Sequence, residues 1–173
     1  LAATSCGTWR VVLDPESEDR TQISTFDISR AYFNAVKDAD DPTFVELPTE
    51  EPGSGTMCGL LLRHMYGTRG AADGWQEEYS TSLVALGFTQ GMSSPCLFVH
   101  HQRSIFVTVH GDDFTSVGSK RQLDWFEDAM KEYYELTVGP RLGPGRTVAK
   151  EASVLNRIIR WTPDGIEYEA DPR

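Results

Sequence analysis

Apolar positions recur along the chain at two different periods, and the change from one to the other predicts a mixture of strands and helices. Gln22-Ile-Ser-Thr-Phe-Asp-Ile28 alternates and is rich in β-branched residues, which predicts a strand. It runs into Ser29-Arg-Ala-Tyr-Phe-Asn-Ala-Val36, which has helical character, until Asp38-Ala-Asp-Asp-Pro42 breaks it. Thr43 to Leu47 and Cys58 to Leu62 read as short strands around a loop of Pro, Gly and Glu from Pro48 to Gly55. Trp75, Tyr79, Leu83 and Leu86 then recur at helical spacing, with Asp73 and Gln76 placed as a capping box and Gly87 as the stop. Cys96 to His100 and Ile105 to Val109 are predicted strands. A second helix starts at Ser119, with Gln122 at its third position, and buries Leu123, Phe126, Met130 and either Tyr133 or Tyr134. After a loop over 139–147, strands from Ala152 to Trp161 and from Gly165 to Glu169 meet at Thr162-Pro-Asp-Gly165. At the other end, Leu1 to Gly7 reads as the close of a helix, Trp9 to Leu13 as a strand and Asp14 to Arg20 as a charged loop.

The stretch Val107-Thr-Val-His-Gly-Asp-Asp-Phe-Thr-Ser-Val117 stands out within this pattern as two strand-like arms meeting at a Gly-Asp-Asp corner. Gly111 takes φ > 0 without a Cβ clash, so Gly111-Asp112 suits a type II′ hairpin turn. Adjacent carboxylates at a tight turn repel one another, and a divalent cation is one reason for a chain to tolerate that. A solvated Asp-rich turn is the plainer alternative. Asp27 stands near the end of another predicted strand. The 85 residues from Asp27 to Asp112 are enough chain to return and set the two strands side by side. Three carboxylates on one edge would then hold paired divalent ions for phosphoryl transfer, and Mg²⁺, a hard ion that favours oxygen ligands, is the expected one.

Composition narrows the picture. At 173 residues with 39% hydrophobic, the chain can bury one substantial core, so one domain is expected. A net charge of −10 argues against a general polyanion-binding surface. The charge is uneven, however: residues 1–60 carry 11 acids and 4 bases, whereas residues 136–161 carry 5 bases against Glu151 alone. Contacts with phosphate are therefore expected in the later stretch. Cys6, Cys58 and Cys96 form neither a zinc pattern nor a disulfide framework, and their use fits a reducing, intracellular compartment. His100 and His101 are neighbours that a strand would point to opposite faces, and both read as structural. No apolar run is long enough to span a bilayer, no signal peptide is visible, and a first residue other than Met fits a fragment or a processed piece.

Four segments carry a family resemblance. Thr25-Phe-Asp-Ile-Ser-Arg-Ala-Tyr-Phe33, Met65-Tyr-Gly-Thr-Arg-Gly-Ala-Ala-Asp-Gly-Trp75, Ser93-Ser-Pro-Cys-Leu-Phe98 and His110-Gly-Asp-Asp-Phe114 resemble, in this order and spacing, the reverse transcriptase of copia-type retrotransposons. The resemblance implies an α+β polymerase palm, an antiparallel sheet packed on two helices with a ferredoxin-like core, partial fingers and a C-terminal hairpin. On that likeness residues 1–173 are one palm fragment of a polyprotein, without the N-terminal fingers, the thumb or ribonuclease H. It implies RNA-directed DNA synthesis from deoxynucleoside triphosphates, with an RNA template, a DNA primer and Mg²⁺ or Mn²⁺. The fingers, thumb, ribonuclease H and integrase regions would be its protein partners, in the cytoplasm, a virus-like particle or the nucleus, and with no membrane.

Residue by residue, the resemblance makes Asp27, Asp112 and Asp113 the catalytic, metal-binding triad and Tyr32 the aromatic floor that excludes a ribose 2′-hydroxyl. Tyr66, Arg69 and Gly70 would line the incoming nucleotide. Gly111, Arg157 and Arg160 would touch primer or template, the helix from Ser119 and a strand from Glu135 to Val138 would complete the palm, and Arg146 or Lys150 could supply an acid for pyrophosphate. The sequence departs from the family at the catalytic corner, where His110-Gly111 replaces tyrosine and a bulky residue, and at Ala71-Ala72-Asp73, which replaces an alanine-proline pair. Two other readings stay open: a decayed or repurposed palm that binds partners without catalysis, and an RNA-dependent RNA polymerase, whose usual corner is Gly-Asp-Asp.

Overall fold

The computed structural model of the protein describes residues 20–170, so the expected helix end, the strand Trp9 to Leu13 and all but the last residue of the first charged loop lie outside the described residues. In chain order the elements are β1 (Thr21–Ile28), one turn of 3-10 helix (Ala31–Asn34), β2 (Phe44–Glu46), β3 (Cys58–Leu60), α1 (Ala71–Ala85), β4 (Thr89–Gln90), β5 (Leu97–His100), β6 (Ile105–His110), β7 (Asp113–Ser119), α2 (Lys120–Lys131), β8 (Leu136–Val138), β9 (Glu151–Val154), β10 (Arg157–Thr162) and β11 (Gly165–Ala170). The architecture is α+β. A six-stranded sheet ordered β4-β5-β6-β7-β1-β8 is antiparallel at every pairing, and β9, β10 and β11 form a second, three-stranded antiparallel sheet.

Strand alternation divides the main sheet into two faces. Phe26 and Ile28 of β1, Val107 and Val109 of β6 and Phe114 of β7 point to one side, where α1 contributes Trp75, Tyr79 and Leu83, and α2 contributes Leu123, Phe126 and Met130. This core is largely aromatic: Phe26 stacks on Phe114 with ring centroids 5.1 Å apart, and Phe126 tilts against Phe26 at 5.6 Å. Burying a side chain of that size contributes about 1.5–3 kcal/mol, so the two helices are held mainly by this face. On the other side of the sheet, Ile23 joins Leu142, Ala152, Ile159 and Trp161 in a second, smaller core. The three-stranded sheet is seated there, against the end of β1 remote from Asp27.

Several expectations shift on contact with the backbone. The helical stretch after β1 shrinks to the 3-10 turn, because Arg30 enters the left-handed region (φ 55°), Ser29 N–H donates to the Glu135 carbonyl, and the aromatic pair Tyr32-Phe33 is a modest helix former. Neither capping box forms. α1 starts at Ala71 after Gly70 (φ 74°), which puts Asp73 inside the first turn, and Ser119 precedes α2 without a side-chain cap while Gln122 accepts from Arg103 at 2.8 Å. Of the two tyrosines offered for the core, Tyr134 is buried and Tyr133 exposed. His101 lies in a turn outside β5. The strand expected over 152–161 is two strands, since Leu155 and Asn156 both take positive φ (51° and 56°) and turn the chain between β9 and β10. Among the described residues no helix is long and apolar enough to cross a membrane.

Candidate active site

β1 and β7 are direct neighbours, and their register pairs Asp27 with Asp113 across the ladder. Directly opposed residues share a face, so both carboxylates point to the side away from α1 and α2. The same face is graded along the strands. Phe106, Val117 and Ile23 form one cross-strand row, Thr108, Thr115 and Thr25 the next, and His110, Asp113 and Asp27 the last. The apolar row carries the second core through Ile23 and Val117. Only the acidic row reaches the open end of the sheet.

Asp112 is the second residue of the β6–β7 turn. Gly111 has φ 63°, and Asp112 is not among the non-glycine residues with positive φ, which leaves type II′ as the primed turn that fits. Three contacts from outside the hairpin fix this corner. Ile28 N–H donates to the Asp112 carbonyl at 3.1 Å, Trp75 Nε1–H donates to the Gly111 carbonyl at 2.8 Å, and Tyr66 Oη stands 3.5 Å from Asp112 Oδ2. The Trp75 bond ties the turn to α1. Tyr66 in turn meets Tyr32 edge to face at 4.3 Å, and Tyr32 packs against the main core. Aromatic and carboxylate positions that the sequence separates are therefore adjacent here.

The electrostatics follow from that crowding. Partial burial, and then the charges of Asp112 and Asp113, push the Asp27 carboxyl above the ordinary carboxylate range. Asp113 is raised by burial and by Asp112, with His110 opposing. Burial and the nearby Asp112 also raise the Tyr66 hydroxyl. Among the described residues no cation pairs with Asp27, Asp112 or Asp113. Nor do three His, Cys, Asp or Glu side chains stand there as a ready ligand cage. The donors are hard carboxylate oxygens that repel one another, the chemistry that suits Mg²⁺, which is normally bound through one or two carboxylates plus the phosphates of a substrate.

The remaining predicted residues are distributed more widely. Arg69 is exposed and Gly70 stands in front of α1. Arg157 and Arg160 belong to β10, in the other sheet. Arg160 is doubly engaged: its Nε donates to Glu151 at 2.6 Å and its Nη1 to Glu169. Arg157 lies 6.0 Å from the Tyr168 ring. Lys150 spans its own loop, donating to the carbonyls of Gly143 at 2.6 Å and Gly145 at 2.8 Å.

Two side chains, one of them at the site, have partners that periodicity alone does not predict. The helical spacing predicts Trp75 in the core, where it lies, and its indole N–H also holds the acidic corner. Glu127 is buried on α2, where it accepts from Ser24 Oγ of β1 and from Arg141, while Arg141 also pairs with Asp124 at 2.5 Å. The helical spacing that marks Leu123 also marks a residue four positions on, and that signal was available. No protein-family model matches the chain, and no curated protein matches it.

Proposed function

We propose that the chain is the palm of a copia-type reverse transcriptase, an RNA-directed DNA polymerase, with Asp27, Asp112 and Asp113 as its catalytic carboxylates. The observation that carries the reading is the β1–β7 register, which opposes Asp27 to Asp113 and sets Asp112 at the adjoining turn. The strand order β6-β7-β1-β8, with α1 and α2 on one face, also agrees with the ferredoxin-like core of a palm.

In this reading the primer 3′-oxygen attacks the α-phosphorus of a deoxynucleoside triphosphate, a new phosphodiester bond forms, and pyrophosphate leaves in line. Asp27, Asp112 and Asp113 would hold Mg²⁺, which would supply positive charge for phosphoryl transfer there. The protein's own part is positioning. Ile28 and Trp75 hold the turn that carries Asp112, and the aromatic pair Tyr32 and Tyr66 supplies a rigid wall beside it. An aromatic ring at Tyr32 leaves no room for a ribose 2′-hydroxyl, which favours deoxynucleotides over ribonucleotides. Arg69 and Gly70 would flank the nucleotide. Arg157 would meet the primer backbone, and Arg160 would do so only by exchanging its carboxylate partners for phosphate.

The test is primer extension on an RNA template by the protein expressed with the segments that adjoin it in its gene. DNA synthesis that Asp112→Asn abolishes, and ribonucleotide incorporation that increases in Tyr32→Ala, are the expected results. Synthesis undiminished in Asp112→Asn contradicts the assignment. Nucleic-acid binding with no synthesis supports the binding-only palm instead, and a wild-type preference for ribonucleotides supports the RNA polymerase.

A further inference from the structure

The ribbon of β2 and β3 belongs to neither core, and its register sets Phe44 opposite Leu60 and Glu46 opposite Cys58 on one face. That face is open: Phe44 is 60% exposed, Leu60 51%, and Leu62 just beyond β3 is 74% exposed. Exposed apolar side chains grouped in this way mark an interaction surface more often than isolated ones do. Among the described residues β2 pairs with β3 alone, which leaves the backbone groups of its outer edge free for a further strand. Pro42 and Pro48 bracket that edge and confine any added ladder to the 5 residues between them.

Charge identifies the occupant. Residues 38–51 contain 6 carboxylates and no base. The two nearest cations are already engaged, Lys37 with Asp41 at 3.1 Å and Arg63 with the Asn34 carbonyl at 2.6 Å. Asp38, Asp40, Glu46, Glu50 and Glu51 have no cationic partner among the described residues. A nucleic acid is repelled by such a surface, and a second copy would set the same carboxylates against themselves. We infer that the β2–β3 ribbon is a docking edge for an extended segment of a partner protein in which apolar and basic residues alternate. The segment adds as a strand to β2, its apolar side chains cover Phe44 and Leu60 on one face, and its cations, which alternation keeps off that face, meet the carboxylates of residues 38–41 and 50–51 that flank the ribbon. This surface is separate from the acidic row of β1 and β7, and the inference does not depend on polymerase activity.

The probe is a synthetic peptide of alternating valine and lysine, titrated by calorimetry at physiological salt and mapped by amide hydrogen exchange, with the glutamate-for-lysine peptide as control. Saturable binding is expected for the lysine peptide alone, with new protection at Phe44 and Glu46, whose N–H groups face the outer edge of β2. The double variant Phe44→Ser, Leu60→Ser should weaken it on the order of tenfold or more, with an unchanged circular dichroism spectrum because both side chains are exposed. The charge reversal Glu50→Lys, Glu51→Lys should weaken it too. Affinity that ignores these substitutions, or protection spread over other acidic surfaces, overturns the inference. So does self-association in ultracentrifugation that the double variant abolishes, because it gives the face to a second copy.

Discussion

The carboxylates at the end of β1 and β7 and the cations of β10 both ride on strands and both face solvent, yet they are compensated in opposite ways. Arg160 lies between Glu151 on one neighbouring strand and Glu169 on the other, so its charge is largely spent within its own sheet. Asp27, Asp112 and Asp113 have no cation among the described residues, and after burial itself the neighbouring carboxylates raise the affinity of Asp27 and Asp113 for protons. A cross-strand ion pair is the ordinary way for a sheet to settle its charges. Leaving three like charges together costs stability, and that cost marks the place where an outside ligand is expected.

The sharpest break of this contrast is Asp27→Asn or Asp112→Asn. In the proposed reaction each should lower primer extension on the order of a thousandfold or more, since several kcal/mol of charge stabilisation is lost. Thermal unfolding of Asp27→Asn should move the other way, to a higher midpoint at neutral pH, because repulsion is relieved. A variant that loses both activity and stability would show that Asp27 is structural.

The next effect is the loss of a compensated charge that is also buried. Glu127→Ala leaves Arg141 with Asp124 alone and removes the acceptor of the buried Ser24 hydroxyl, which should lower the unfolding free energy by about 1–3 kcal/mol in denaturant titration. Trp75→Phe keeps most of the ring packing but removes the bond to Gly111, so a loss of about 1 kcal/mol is expected, with amide shifts confined to the β6–β7 corner.

The contrast also predicts a pH signature. Burial and then repulsion from neighbouring carboxylates raise the carboxyls of Asp27 and Asp113 in the folded chain, so their protonation favours folding as pH falls into the raised window, and that contribution is lost as pH rises through it. Asp124 has the opposite sign. Burial works to raise it, but hydrogen bonds from Lys120 and Arg141 outweigh burial and hold it low, so its contribution is lost only as pH falls through the depressed value. The advantage of Asp27→Asn over the wild type in unfolding midpoint should therefore shrink as pH falls from neutral through the raised window. The smallest effect is expected for Arg160→Ala, whose exposed pairs should leave the unfolding midpoint nearly unchanged. Glu151→Gln combined with Glu169→Gln sharpens the point, since it frees Arg160 and should strengthen nucleic-acid binding with a steeper salt dependence.

Strand periodicity and turn chemistry carried most of what the sequence disclosed. β1, the β6–β7 hairpin with its Gly111-Asp112 turn, and the apolar stripes of α1 and α2 all lie where alternation and helical spacing place them. These signals are local, and they were enough to set Asp27 beside Asp113 once 85 residues of chain had returned. Readings that needed a distant partner did less well. The 3-10 turn after β1 depends on the backbone of Glu135, far along the chain, and the second bond of Trp75 depends on Gly111. The left-handed pair Leu155-Asn156 has only Asn156 as a local turn signal, so the break between β9 and β10 was hidden inside an apolar run. The partners of Arg160 could not be read until strand register was known.

If the end of β1 and β7 holds a divalent cation, as proposed, paramagnetic NMR detects it without any need for turnover. Added in substoichiometric amounts, Mn²⁺ should broaden the amides of residues 26–28 and 111–114 first, and Asp27→Asn should abolish that broadening. Broadening centred on the acidic stretch 38–51, or broadening at the β1–β7 end that survives Asp27→Asn, would contradict that proposal.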